Sequence, residues 1–198
     1  MSPALTAAEI AAEVAMDRFV IDKRASRFNV RAFATGILSS MGHNPTIGIR
    51  DFDGEMKFDP EQLTASAFQL TIKSSSLGVQ DDISEKDRRE MERLMNEQVL
   101  EANKFPTISY EAPQIVVTRL GDMLFSAQLN GDLSFHGVSR REAITTRVTS
   151  MGSMLRASGE FSLSQSNYGV KPISVAGGAL KLKDELKFSF EIVARKQE

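Results

Sequence analysis

Residues 122–135 read DMLFSAQLNGDLSF, and their alternation decides the fold. Met123, Phe125, Ala127, Leu129, Leu133 and Phe135 share one parity. Asp122, Ser126, Gln128, Asn130, Asp132 and Ser134 share the other, with Leu124 the exception. A period of two marks a strand with one dry face and one wet face. Residues 186–194, LKFSFEIVA, repeat the pattern. There Leu186, Phe188, Phe190 and Ile192 oppose Lys187, Ser189 and Glu191. Many such strands in one chain predict an all-β fold, an antiparallel sheet closed over an apolar interior. That interior is either a packed core or a cavity for an apolar ligand, and alternation alone does not separate the two.

The same reading extends outward. Segments 18–22, 27–35, 46–52, 54–58 and 66–73 read as strands, with Phe28 and Val30 in phase in the second and Phe68 and Leu70 in phase in the last. Between 82 and 100 the period changes. Ile83, Met91, Leu94, Met95 and Val99 fall at helical spacing behind a charged run, Glu85–Arg93, so an amphipathic helix is predicted, with Asp82 and Glu85 as its cap. From Pro106 the text is β again, at 107–112, 114–119, 122–135, 138–150, 155–165 and 179–195. The 166–178 segment reads as a long loop at the barrel mouth. Thr6 and Glu9 have capping-box spacing ahead of an Ala-rich run, which predicts a short helix over 6–16. The expected organisation is an N-terminal helical extension, 1–17, and one barrel domain of about eight strands, 18–198.

Bulk properties narrow the function. The 198 residues carry a net charge of −2 and no cysteine. With no basic field to hold a polyanion, strong nucleic-acid binding is not expected. Disulfides, thiol catalysis and thiolate metal sites are excluded. No stretch has the length of a membrane-spanning helix. The opening MSPALTAAEIAAEVAM has no Lys or Arg ahead of its apolar residues, so it does not read as an export signal and a cytoplasmic location is expected.

Five stretches carry a resemblance to a known family. They are FVIDKRASRFNVRAF (19–33), FDGEMKFDPEQL (52–63), EANKFPTISYEA (101–112), LNGDLSFHGVSRREAI (129–144) and FSLSQSNYGV (161–170). Each is partly turn grammar, but in this order, across residues 18–195, they resemble the YceI-like family of lipocalin-like barrels that bind polyisoprenoids. The resemblance implies an up-and-down barrel with a lipid inside. Departures exist: the fifth stretch has Gln165-Ser166-Asn167 where the family has Arg-Ser-Asp, so a charged contact is missing. Arg141 stands in a usual proline position, and MGHNPTIGIRDF (41–52) resembles a distinct branch.

Candidate site residues follow from parity and from the mouth loops. The inward set is Phe28, Val30, Phe68, Leu70, Ile108, Phe125, Leu129, Leu133, Phe161, Leu163, Phe188, Phe190 and Ile192. His43, Asn44, Asn167, Tyr168 and Lys171 are expected to hold a polar head group. His43 and His136 are the only histidines and stand apart, so no metal site is expected. His136, before Gly137, is read as fixing a turn. Asp51, Asp53, Glu55 and Asp59 crowd one hairpin, with Gly54 read as its turn, and look like solvated turn charges. No catalytic residue and no cofactor is expected. The leading expectation is a non-enzymatic carrier of an isoprenoid or fatty-acyl lipid. The alternatives are a filled-core partner-binding barrel, or an enzyme on a hydrophobic small molecule using His43 and a nearby acid. A homodimer is compatible with the sequence, which does not require one.

Overall fold

The computed structural model describes residues 16–35, 44–58, 63, 67–175 and 180–197. The chain runs through β1 (Asp17–Ile21), β2 (Arg27–Arg31), β3 (Ala34–Thr35), β4 (Thr46–Ile49) and β5 (Phe52–Phe58). β6 (Ala67–Lys73) and β7 (Leu77–Val79) precede the helix α1 (Glu85–Leu94). Then come β8 (Thr107–Ala112), β9 (Ile115–Arg119), β10 (Leu124–Phe135), β11 (Val138–Ser150) and β12 (Met154–Ser164). The last three are β13 (Ser174–Val175), β14 (Leu180–Leu182) and β15 (Glu185–Lys196). Eight strands, in the order β1-β5-β6-β8-β10-β11-β12-β15, form a ring that closes when β15 pairs back onto β1 through Ile21↔Ala194. Each pairing is antiparallel and chain order is kept round the ring, giving the closed antiparallel sheet that the alternation predicts and the up-and-down topology that the resemblance implies.

Two strands of the ring are longer than the neighbours they meet. The second half of β10 pairs with β8 and its first half with β9. The second half of β15 pairs with β1 and its first half with β2. Each change of partner leaves backbone groups without a ladder, and buried backbone N–H and C=O groups need one. Side-chain hydroxyls supply it. At Val193, between the β2 and β1 registers, the N–H donates to Ser26 Oγ at 2.9 Å and Ser26 Oγ donates to the carbonyl at 3.2 Å. At Gly131 the N–H donates to Tyr110 Oη at 3.0 Å, and that hydroxyl lies 3.2 Å from the Leu129 carbonyl and 3.1 Å from that of Glu142. A Cβ on Gly131 would fall 2.6 Å from both the Tyr110 ring and the Glu111 carbonyl, so only glycine fits. Asp22 caps the turn leading to Ser26 through the N–H groups of Arg24 and Ala25, and accepts from Arg195 Nε at 2.8 Å.

The short pairing of β2, β4 and β7 extends the wall beyond the ring. One end of the barrel is packed shut by Phe19, Phe58, Phe125 and Leu155, none more than 2% exposed, with Phe58 and Phe125 edge to face at 5.5 Å. The helix lies at the other end. Its outer charges pair along its own surface, Arg93 with Glu90 and Glu97 and Arg89 with Glu85. Two members of the helix have a further task. Glu92 Oε1 accepts from the Val79 N–H at 2.9 Å, and the Arg88 guanidinium donates to the Val79 carbonyl and, at 2.8 Å, to that of Asp81. The free edge of β7 is thus covered.

Several expectations shift. The helix begins at Glu85 with Ser84 as N-cap, its Oγ accepting from Asp87 N, so Asp82 is not the cap; it ends in a π turn, Met95–Val99. Gly54 lies inside β5, where Ile21 and the Gln69 carbonyl leave no room for a Cβ, and is not a turn. Met123 shares the inward parity but sits exposed in the bend before β10. The segments 27–35 and 179–195 each break in two, and β7 and β13 had no sequence signal. The predicted 6–16 helix lies outside the described residues except for residue 16. The boundary of the extension at 17 falls inside β1.

Replacing Ser26 with Ala removes the acceptor of the Val193 N–H, while the Val193 carbonyl keeps the Asp22 N–H at 2.8 Å. The expected loss is about 1–3 kcal/mol of unfolding free energy without loss of the fold. Denaturant titration measures it, and an unchanged midpoint would show that the seam is satisfied in another way.

Candidate ligand cavity

Inward-facing side chains do not all reach the same depth. At the packed end they are fully buried. Toward the helix end Phe28, Phe68, Phe161, Phe188 and Phe190 are only partly buried although they face inward. The space they border is a cavity of about 540 Å³. Twelve residues expected from parity line it: Phe28, Val30, Phe68, Leu70, Ile108, Leu129, Leu133, Phe161, Leu163, Phe188, Phe190 and Ile192. Cross-strand registers place the rings. Phe161 stacks on Phe188 at 4.7 Å and 12°, and Phe28 sits 6.1 Å from its partner Phe190 and 4.9 Å from Phe52. Gly159, opposite Phe190, has no Cβ, and the ring fills that space.

The helix and the upper wall supply the remainder. Met91, Leu94, Met95 and Val99 close one side, and Ile47, Ile49, Leu77 and Val79 of β4 and β7 stand beside them. The helical spacing of the Met and Leu residues carried that signal, but it gave no direction for the stripe to face. Ala34, Lys181 and Leu182 of the three-stranded sheet β13-β14-β3, with Ile173 just before β13, also line the cavity. Two polar side chains in the lining are already engaged: Thr146 Oγ1 donates to the Ser158 carbonyl at 2.8 Å and Gln165 Nε2 to that of Lys183 at 3.1 Å.

Two expected residues, Phe125 and Tyr168, do not line the cavity as read from sequence. Phe125 belongs to the packed end. His43 lies outside the described residues. Tyr168 is 0% exposed, packed against Phe135 at 5.5 Å, and donates from Oη to Glu142 Oε1 at 2.6 Å. It ties the 3₁₀ turn after β12 (Gln165–Tyr168) to β11, whose ladder with β12 stops at Arg147↔Ser158. Burial first, and the Glu142 carboxylate second, push the Tyr168 hydroxyl well above its usual range.

The other mouth residues have local roles. Asn44 accepts from the Ala34 N–H at 2.9 Å, and Asn167 and Lys171 are exposed. Where the family has a charged contact, Gln165 and Ser166 bind the β14–β15 bend: Ser166 donates to Asp184 from both N and Oγ at 2.7 Å, holding that carboxyl below its usual range. His136, with φ 51°, packs on Phe105 at 4.3 Å, and its Nε2 meets Glu101 Oε2 at 2.7 Å, which fixes the β10–β11 turn against the helix exit. Lys23 bridges Asp51 and Asp53, and Arg18 holds Glu55. Among the described residues no three His, Cys, Asp or Glu side chains gather as a metal site, and no helix is long and apolar enough to cross a membrane.

The sequence matches the family model for the YceI-like domain over residues 19–194. A UPF0312 protein of Ectopseudomonas mendocina (strain ymp) is 26% identical over 135 residues, 68% of this chain and 63% of that protein. The chain therefore spans less than two thirds of that relative. Among solved structures, BcnA of Burkholderia cenocepacia superposes with a TM-score of 0.66 at 16% identity, over 87% of this chain and 98% of that one. A polyisoprenoid binding domain from Saccharophagus degradans, implicated in plant cell wall breakdown, gives 0.65 at 14% identity, over 90% and 98%. At such identities the likeness is one of fold.

Two measurements probe this geometry. Phe125→Ala should cost about 3–5 kcal/mol, as a fully packed ring does, and Phe188→Ala markedly less because one side already faces open space. Equal losses in thermal or urea unfolding would mean that the interior is filled. The folded state holds the Tyr168 proton more tightly than the unfolded chain does. That stabilisation is whole below about pH 10 and is lost as pH climbs through the raised folded value. Unfolding midpoints followed from about pH 8 to about pH 11 should fall, and less steeply in Tyr168→Phe.

Proposed function

The chain belongs to the YceI-like domain family, and we propose that its barrel binds and sequesters or carries a long-chain amphiphile, isoprenoid-like or fatty-acyl, in the apolar cavity. The observation that carries this reading is the cavity of about 540 Å³ with partly buried aromatic rings around it. Its size lies in the range of about 300–1,000 Å³ usual for small-molecule sites. Each enclosed methylene contributes about 0.8 kcal/mol. A hydrocarbon chain can therefore reach useful affinity with few polar contacts, even after its ordering cost. The likeness in fold to a domain described as polyisoprenoid binding supports the same ligand class.

A filled-core partner-binding barrel fits less well, since the space between helix and wall is not occupied by side chains. The enzymatic alternative rested on His43 with a nearby acid. The carboxylates that crowd the β4–β5 segment are held in surface ion pairs by Lys23 and Arg18.

Native mass spectrometry of freshly purified protein, followed by organic extraction, tests the proposal. A stoichiometric lipid mass is expected, or uptake of prenyl or acyl lipid after delipidation, with a raised melting temperature that scales with ligand concentration. An unliganded mass together with no uptake of either lipid would overturn it.

A further inference from the structure

The large apolar side chains left exposed among the described residues are gathered at one corner. They are Val116, Leu120, Met123 and Met151, exposed by 60, 54, 57 and 39%. Leu120 and Met123 lie in the turn between β9 and β10, Met151 in the turn between β11 and β12, and Val116 on β9 itself. The two turns are neighbours, because Ser150 N donates to the Met123 carbonyl at 2.9 Å. Both lie at the plugged end, Met123 two residues before Phe125 and Met151 four before Leu155. Apolar residues scattered singly over a surface are ordinary, whereas a cluster of them marks a contact site.

The form of the cluster narrows what it contacts. Leu120 N and Gly121 N donate to the Leu124 carbonyl at 2.8 and 3.1 Å, and Met151 N to that of Met154 at 2.8 Å. Turns closed in this way offer no strand edge for pairing. Four side chains also fall short of the roughly 800 Å² per partner that a stable protein interface buries. A bilayer makes no such demand, since each side chain sinks to its own depth at the boundary of head groups and acyl chains. Charge agrees. Arg119 precedes the first turn, its guanidinium 5.1 Å over the Phe125 ring. Arg156, exposed on β12, faces Thr149 of β11, and Arg147 lies two residues further up that strand. Lys196, whose N–H donates to the Ser153 carbonyl, is paired with Asp17. Asp122 is the one acid within the two turns. Arginine keeps its apolar stem with the inserted residues and its head at lipid phosphate.

We propose that these two hairpin tips dock the protein on an anionic lipid surface. Leu120, Met123 and Met151 are the inserted side chains, and Arg119 and Arg156 meet the phosphates. The tips lie below the plug of Phe19, Phe58, Phe125 and Leu155, so contact there leaves the interior closed and turns the helix end away from the bilayer. Docking is therefore independent of what the cavity holds.

The chain has no tryptophan, so a single introduced one reports its own depth. The test takes the full chain with Met123→Trp, and separately with Lys86→Trp on the exposed face of α1 at the opposite end. Each is mixed with vesicles of phosphatidylcholine, with and without phosphatidylglycerol, and followed by flotation and fluorescence. Binding to the phosphatidylglycerol vesicles is expected, with a blue shift for Met123→Trp and none for Lys86→Trp. Replacing Leu120 and Met151 with Ser should weaken binding about tenfold. Arg156→Gln should weaken it about fivefold at low salt, the share of one cation. All three positions are exposed, so unchanged melting temperatures will show that the variants are folded. Absence of binding to either vesicle would overturn the proposal, as would a blue shift of Lys86→Trp alone. Equal binding to both vesicles would overturn the anionic surface as the partner. A blue shift of Met123→Trp without vesicles, growing with protein concentration, would overturn it in favour of contact between two copies of the chain.

Discussion

The structure depends on the backbone hydrogen bonds at two places where a strand changes partner. A ring of eight strands is ordinarily as tall as its strands. Here β10 and β15 are each long enough to serve two shorter neighbours end to end, so the wall rises a second tier through β8 on one side and β2 on the other. A wall built this way has a break in each ladder, and unpaired buried amides there would cost more than the added height contributes. Ser26 and Tyr110 remove that cost with one hydroxyl apiece. Asp22 and Ser26 of the opening hairpin are therefore parts of the wall.

The second tier is also where the interior stops being filled. Below the seams, Phe19, Phe58, Phe125 and Leu155 interlock. Above them the rings pair along the wall without filling the space, and the helix roofs it with Met91, Leu94 and Met95. Methionine and leucine are shape-tolerant, and the rings opposite are paired with one another across strands, so the lining is defined without being closed. Structure and cavity thus share one cause, the extra height of the wall.

Much of the fold was legible because period two fixes which side of a sheet a residue faces. Period two does not fix depth. Phe125 and Phe188 have the same alternation and the same residue type, yet one is sealed in the plug and the other borders open space. That difference comes from how far along the strand the neighbours extend, a property of the whole ring. Tyr168 was legible as an aromatic before a glycine and misread in role, because only the fold reveals that Glu142 of β11 lies within reach of its hydroxyl.

The helix is held to the barrel partly through polar grips on the rim of a strand, with none of its ten residues fully buried. Arg88 and Glu92 occupy the main-chain donor and acceptor of Val79. Any rise of the helix that widened access to the interior would uncover the outer rim of a three-residue strand, and a bare rim is a template for strand addition by a second polypeptide.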